Sequence, residues 1–192
     1  MKLVKKTILI TGTLMLSACI STAKMDPGPH HVGEKLSISL PNAWNQVNAP
    51  NLNGPHAETW TLEGLPVDHL TIYSGLKDGE AISPDFNSKK KFIFKPELQA
   101  EQIVALFEGS LTQDGSTFKL RKLEPSMFGG AKSIHFEFSV IRKIDNVDIW
   151  GSADIAVVNK QMYAIVYQAP KLTFYPRYIS SVQEIVKSAK IG

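Results

Sequence analysis

Cysteine is almost absent: the 192 residues include one, Cys19. A chain with a single cysteine closes no internal disulfide, so its stability must come from a buried core. Long hydrophobic runs are missing as well. The most apolar stretch, residues 7–16, is shorter than the roughly 20 residues a helix needs to cross a hydrocarbon core. Catalytic signatures are also lacking: there is no G-x-S-x-G elbow, no H-E-x-x-H pair and no glycine-rich loop ending in Lys for nucleotide phosphates. No internal repeat or low-complexity tract appears. A reaction is therefore not expected, and neither is a metal or a dissociable cofactor.

Net charge is scarce once the first residues are set aside. Three of the 21 basic residues, Lys2, Lys5 and Lys6, lie ahead of the apolar stretch, where there is no Asp or Glu. The remainder balances its 18 acidic residues with as many basic ones. That argues against nucleic acid as a partner, since affinity for phosphate backbones comes from clustered Lys and Arg. The one dense run, Lys89-Lys90-Lys91, reads as a solvated loop. A hydrophobic share of 43% against 20% charged residues is a globular balance, and the length suits one domain.

The start of the chain has the form of an export signal. Positive residues 1–6 precede the short apolar stretch 7–16, and Leu16-Ser17-Ala18-Cys19 follows. That last segment resembles the lipobox of bacterial lipoproteins. The resemblance implies cleavage between Ala18 and Cys19, with a diacylglyceryl group and an N-acyl chain placed covalently on Cys19. An ordinary signal cut after Ala23 is the competing reading, because Ser21-Thr22-Ala23 also has small residues at the required spacing. Ile20 stands where lipoproteins kept in the inner membrane usually carry Asp. The implied address is the bacterial cell envelope, and the outer membrane facing the periplasm if the host has two membranes. The bilayer is then a partner through the acyl anchor.

The expected organisation is a signal peptide over 1–18, a flexible tether over 19–33 and a globular domain over 34–192. The tether is read from its small, polar, Pro- and Gly-rich composition, and its His30-His31 pair reads as solvated. Alternation of apolar and polar residues predicts strands over 35–40, 58–62, 69–76, 117–123, 133–142, 147–158 and 161–168, with a loop over 45–57. Asn159-Lys160 between apolar runs predicts a tight hairpin, and hence antiparallel neighbours. Helical spacing of apolar residues predicts helices over 96–111, with Pro96 in the first turn, and over 176–190.

Three segments together resemble the PsbP-like family, which includes the extrinsic photosystem II protein. They are Leu36-Ser37-Ile38-Ser39-Leu40-Pro41-Asn42-Ala43-Trp44, the hairpin from Ile149-Trp150-Gly151 to Met162-Tyr163-Ala164-Ile165-Val166-Tyr167-Gln168-Ala169, and Val182-Gln183-Glu184-Ile185-Val186-Lys187-Ser188. Ala189 stands where relatives often have Phe. The resemblance implies an α+β fold, an α-β-α sandwich with a central antiparallel sheet. It also implies a non-enzymatic role, as an assembly factor or a subunit of a larger complex, so an unidentified envelope protein is the expected second partner.

Few side chains offer chemistry. Asp68-His69 places an acid beside a base, but neighbours on a strand point to opposite faces. His135 reads as a strand residue with a hydrogen-bond partner. The aromatics Trp44, Trp60, Tyr73 and Trp150 are the candidate contacts for a small ligand or glycan, because flat rings supply contact area at low entropic cost. Core packing is the plainer use for them. A hydrolase is the remaining alternative and has no motif behind it.

Overall fold

The computed structural model describes residues 21–49, 54–65, 67–83 and 91–192. Ala18 and Cys19 lie outside the described residues, and so do Lys89 and Lys90. In chain order the elements are β1 (Ser21–Met25), β2 (Gly28–Val32), β3 (Leu36–Leu40), β4 (Trp44–Asn48), β5 (Ala57–Thr61), β6 (His69–Leu76), α1 (Ala100–Leu111), β7 (Thr117–Phe128), β8 (Ala131–Ile141), β9 (Asp148–Val158), β10 (Gln161–Pro170), α2 (Phe174–Ser188) and β11 (Lys190–Ile191).

One sheet takes eight strands in the order β1-β4-β5-β6-β10-β9-β8-β7, and every pair in it is antiparallel. A second sheet takes three, β11-β3-β2. The hairpins are tight where the sequence predicts one. Asn159 and Lys160 have φ of 50° and 63°, the left-handed pair of a type I′ turn, so Val158 and Gln161 face each other across the ladder.

Two apolar clusters lie on the two faces of the large sheet. On one face, Leu70, Ile72, Ile165 and Tyr167 pack with Val182 and Ile185 of α2 and with Leu36, Ile38 and Leu40 of the small sheet. On the other, Met162, Ala164, Val166, Ala153 and Ile155 pack with Ile103, Val104 and Phe107 of α1. Each such side chain, fully buried, contributes about 1.5–3 kcal/mol of transfer free energy. Helix, sheet and helix form three layers, as the resemblance to the PsbP-like family implies. β9 and β10 are covered on both sides, so their central positions are almost all buried.

Several expectations need correction. The segment 21–32 is not a tether: it forms β1 and β2, because β1 pairs with β4 and β2 with β3. Within β2 the two histidines point to opposite faces. His30 Nε2 donates to the Asp26 carbonyl at 2.6 Å, and its ring meets the Trp60 ring edge-on at 6.1 Å. The loop expected over 45–57 starts with a strand, since β4 runs from Trp44 to Asn48. Helix α1 begins at Ala100, after a turn in which the Leu98 N–H donates to the Lys95 carbonyl at 3.2 Å. Gln102 Oε1 accepts the Gln99 N–H at 2.8 Å and so caps the helix, four residues later than Pro96 suggests. β7 runs on to Phe128 through Pro125, which an edge strand tolerates.

Gly151 lies where β9 passes under Phe138, and a Cβ there would meet the Phe138 ring at 2.2 Å. Phe138 is fully buried and held between the Phe118 and Phe136 rings, so it has little room to yield. Gly151→Ala is expected to destabilise the domain by about 1–3 kcal/mol through overpacking, read as a lower urea midpoint with unchanged slope. An unchanged midpoint would contradict this packing.

Candidate functional site

The cover on the α2 side of the large sheet is uneven. α2 and the small sheet lie over β6, β10, part of β9 and the Phe128–Ala131 end of β7 and β8, while the rest of that face of β8 and β7 stays open. Residues paired across antiparallel strands share a face, so the register defines this surface. Trp150 lies opposite Ser139, Ser152 opposite Glu137, and Asp154 opposite His135. Glu137 in turn faces Lys122, and His135 faces Glu124. Every one of these positions is polar or aromatic. On the reverse face of the same strands, Phe118, Leu123, Ile134, Phe136 and Phe138 are apolar and pack towards α1.

At the centre, the His135 imidazole is hydrogen-bonded through Nδ1 to Asp154 Oδ1 at 3.0 Å, and its Nε2 lies 3.9 Å from Glu137 Oε1. Asp154 is buried and His135 half-buried. The hydrogen bond to Asp154 raises the pKa of His135, against the effect of burial, with Glu137 and Glu124 adding to the rise. When protonated, the ring links carboxylates on neighbouring strands. Beside it, Lys122 Nζ pairs with Glu124 at 2.8 Å.

The upper part of the face is aromatic. A register shift between Leu120 and Lys122 frees Arg121 from the ladder, and its guanidinium sits 3.5 Å from the centre of the Trp150 ring. Lys171 Nζ lies 5.3 Å from the same ring and forms an ion pair with Asp148 at 3.0 Å. Tyr175 meets Trp150 edge-on at 5.7 Å and stacks on Tyr167 at 5.9 Å, and Tyr167 meets Trp44 at 6.4 Å. Rings therefore run from the core at Trp44 out to Trp150 and Arg121. Burial raises the pKa of Tyr175, opposed by a hydrogen bond with Ser152. Arg121, Tyr167 and Tyr175 escaped the sequence reading. The bulge that presents Arg121 has no local signature, and the ring contacts join β10, α2 and β9.

Of the four aromatics proposed to contact a ligand, Trp44 and Trp60 are 0% exposed and Tyr73 is 6% exposed. They serve the core, and Tyr73 donates its hydroxyl to the Ile82 carbonyl at 2.8 Å. Only Trp150 is half-buried on a surface. The ring alternation on these strands buries both faces, so an aromatic at either phase ends up inside.

Asp68 and His69 do separate work, as their adjacency suggests. Asp68 is fully buried and accepts from Thr61 Oγ1, the Leu62 N–H and the Glu63 N–H at 2.8, 3.0 and 2.7 Å, which fastens the β5–β6 connection. On the other face, Gln168 Nε2 donates to His69 Nε2 at 3.0 Å, and burial lowers the pKa of His69. Two adjoining clefts, of about 150 and 220 Å³, share His69, Leu111 and Gln168 in their walls. Among the described residues, no group of three or more His, Cys, Asp or Glu is placed to hold a metal ion.

A raised histidine pKa stabilises the fold through the protonated form. That contribution is fully present below the unfolded value near 6.5 and fades as pH climbs through the folded value. His135→Gln is therefore expected to cost about 1 kcal/mol at mildly acidic pH and less above neutrality. Unfolding curves of both proteins across that range would show it; a difference that grows with pH would contradict the pairing.

No family model matches the sequence, and no curated protein matches it either. Solved structures do match. The solution structure of cyanobacterial PsbP from Synechocystis sp. PCC 6803 superposes with a TM-score of 0.58 at 13% identity, covering 95% of this chain and 99% of that one. The crystal structure of LpqN, a protein involved in cell envelope biogenesis of Mycobacterium tuberculosis, aligns over 90% of this chain and 91% of its own at 10% identity, with a TM-score of 0.35. At such identities the first match speaks for fold and the second carries no argument. The antiparallel sheet between two helices, with its small accessory sheet, is a PsbP-like fold.

Proposed function

We propose that this chain is a lipid-anchored protein of the bacterial cell envelope whose globular domain is a non-enzymatic binding module for a larger envelope complex. The anchor is the acylated Cys19, supported by the order of positive residues, apolar stretch and Leu16-Ser17-Ala18-Cys19. Among the described residues no helix is long and apolar enough to cross a membrane. Two or more acyl chains supply stable anchoring without one. In a host with two membranes, Ile20 after the cysteine favours the outer membrane, with the domain in the periplasm.

The open face of β7, β8 and β9 carries the binding reading. It is a broad sheet surface on which Trp150 lies under Arg121 and His135 lies among carboxylates. Trp and Arg dominate the energetics of protein interfaces, whereas small ligands take concave sites that bury most of their surface. The ring nitrogens of His135 face Asp154 and Glu137, and the Ser152 hydroxyl is engaged with Tyr175, so the face is built of mutually satisfied pairs suited to a protein partner.

Two measurements test the two parts. Cys19→Ser should leave the product uncut or soluble while its thermal midpoint stays unchanged, because Cys19 precedes the first strand. A variant that stays in the membrane fraction and is cut normally would refute the anchor. For the module, the anchored wild type should repeatedly recover the same partner in cross-linked pull-downs, and Arg121→Glu should lose it while keeping its fold. Recovery of no partner by the wild type, or undiminished recovery by the variant, would remove this reading.

A further inference from the structure

We propose that the domain sits directly on the bilayer, docked through one rim of its large sheet, with anionic lipid headgroups as the partner of that rim. This rests on the acyl anchor proposed above and adds the orientation that the fold imposes on it. Chain length sets the constraint. Cys19 is two residues from Ser21, where β1 begins, so its Cα lies within about 7.6 Å of the Ser21 Cα. With 21–32 folded into strands, no slack separates the lipid from the sheet.

Strand direction says which rim meets the membrane. Ser21 pairs with Asn48 and Met25 with Trp44, so β1 enters the sheet at the end where β4 leaves it. Across the sheet, that rim continues through the end of β6, where Leu76 faces Met162, to the turns at Asn159-Lys160 and Gly129-Gly130. The small sheet adds the turn at Gly33 (φ 61°), packed so closely on β6 that a Cβ there would meet Ser74 Oγ at 2.5 Å. The Ile191 N–H donates to the Gly129 carbonyl at 3.1 Å and ties β11 to the same rim.

Charge on this rim fits the partner. Lys35, Lys77, Lys132, Lys160 and Lys190 are all exposed on it. Against them stand Glu34, Asp78 and Glu80, and Glu80 is drawn inward by the Lys77 N–H at 2.7 Å and by His56 at 3.5 Å. Basic residues held at a membrane surface are attracted by anionic headgroups over about a Debye length, and the acyl anchor holds them within that range. The opposite rim, with the turn that carries Ile144 at 86% exposure, points away from the bilayer.

The lone cysteine makes the test clean, because acylation consumes it and an engineered thiol is then unique. Full-length Lys160→Cys and Ile144→Cys proteins would be purified from membranes, labelled with a bimane maleimide and reconstituted into phosphatidylcholine vesicles. Nickel-chelating headgroup lipids then quench labels close to the surface. Quenching is expected to be several-fold stronger at position 160 than at 144, and the contrast should widen when phosphatidylglycerol is included, although Lys160→Cys itself removes one rim charge. Equal or reversed quenching, with an intact mass that shows acylated Cys19, overturns the orientation and leaves the anchor standing. A contrast indifferent to phosphatidylglycerol overturns the headgroup attraction. A mass without acyl groups overturns anchor and orientation together.

Discussion

The central constraint is the burial of the β9–β10 hairpin on both of its faces. A strand covered on one side can alternate apolar and polar residues; one covered on both cannot, and β10 is buried at nearly every position from Met162 to Ala169. Both apolar clusters draw on this hairpin, Tyr163, Ile165 and Tyr167 serving one and Met162, Ala164 and Val166 the other. The two helices and the small sheet are therefore organised around it. The close fit of Gly151 beneath Phe138 belongs to the same constraint, since a strand sandwiched between layers has no free side on which to expand.

Layers that cover the middle of a sheet leave its edges to be managed differently. Towards β7 the α1 side stays apolar, with Leu120 left 40% exposed, while the α2 side opens and turns polar. β7 itself carries Lys119, Lys122 and Pro125, which discourage pairing with another sheet edge. The same uncovered position that forces polarity on β7 and β8 leaves the broad surface proposed to take a partner. Satisfying Asp154 with His135, and seating Arg121 on Trp150, are the local consequences of exposing a sheet face that lies next to a core.

The other edge serves a different end. β1 is seven strand steps from β7, about 34 Å at the usual spacing of strands. The proposed acyl anchor just ahead of β1 and the proposed binding surface at β7 and β8 are then separated by the width of the sheet. With that rim on the bilayer, as proposed, the separation runs along the membrane, and the rigid sheet fixes the surface beside the anchor as a flexible tether does not.

From the sequence alone came the order of most elements, the tight turn at Asn159-Lys160 and the amphipathic helices, because these follow from periodicities of two and 3.6 and from turn chemistry within a few residues, while the layered class was implied by the resemblance to the PsbP-like family. The Leu16-to-Cys19 motif is local in the same way. β1, β2 and β4 escaped it: Ser21–Met25 and Gly28–Val32 have no alternation strong enough to mark strands, and they exist only because β4 and β3 offer ladders to pair with. His135 was legible as a strand residue with a partner, but not Asp154 as that partner. Which aromatics face solvent was likewise decided by tertiary structure. Trp60 and Trp150 sit in similar strand patterns, and only the placement of α2 and the small sheet buries the first and leaves the second beside Arg121, because exposure depends on what covers a strand rather than on the strand itself.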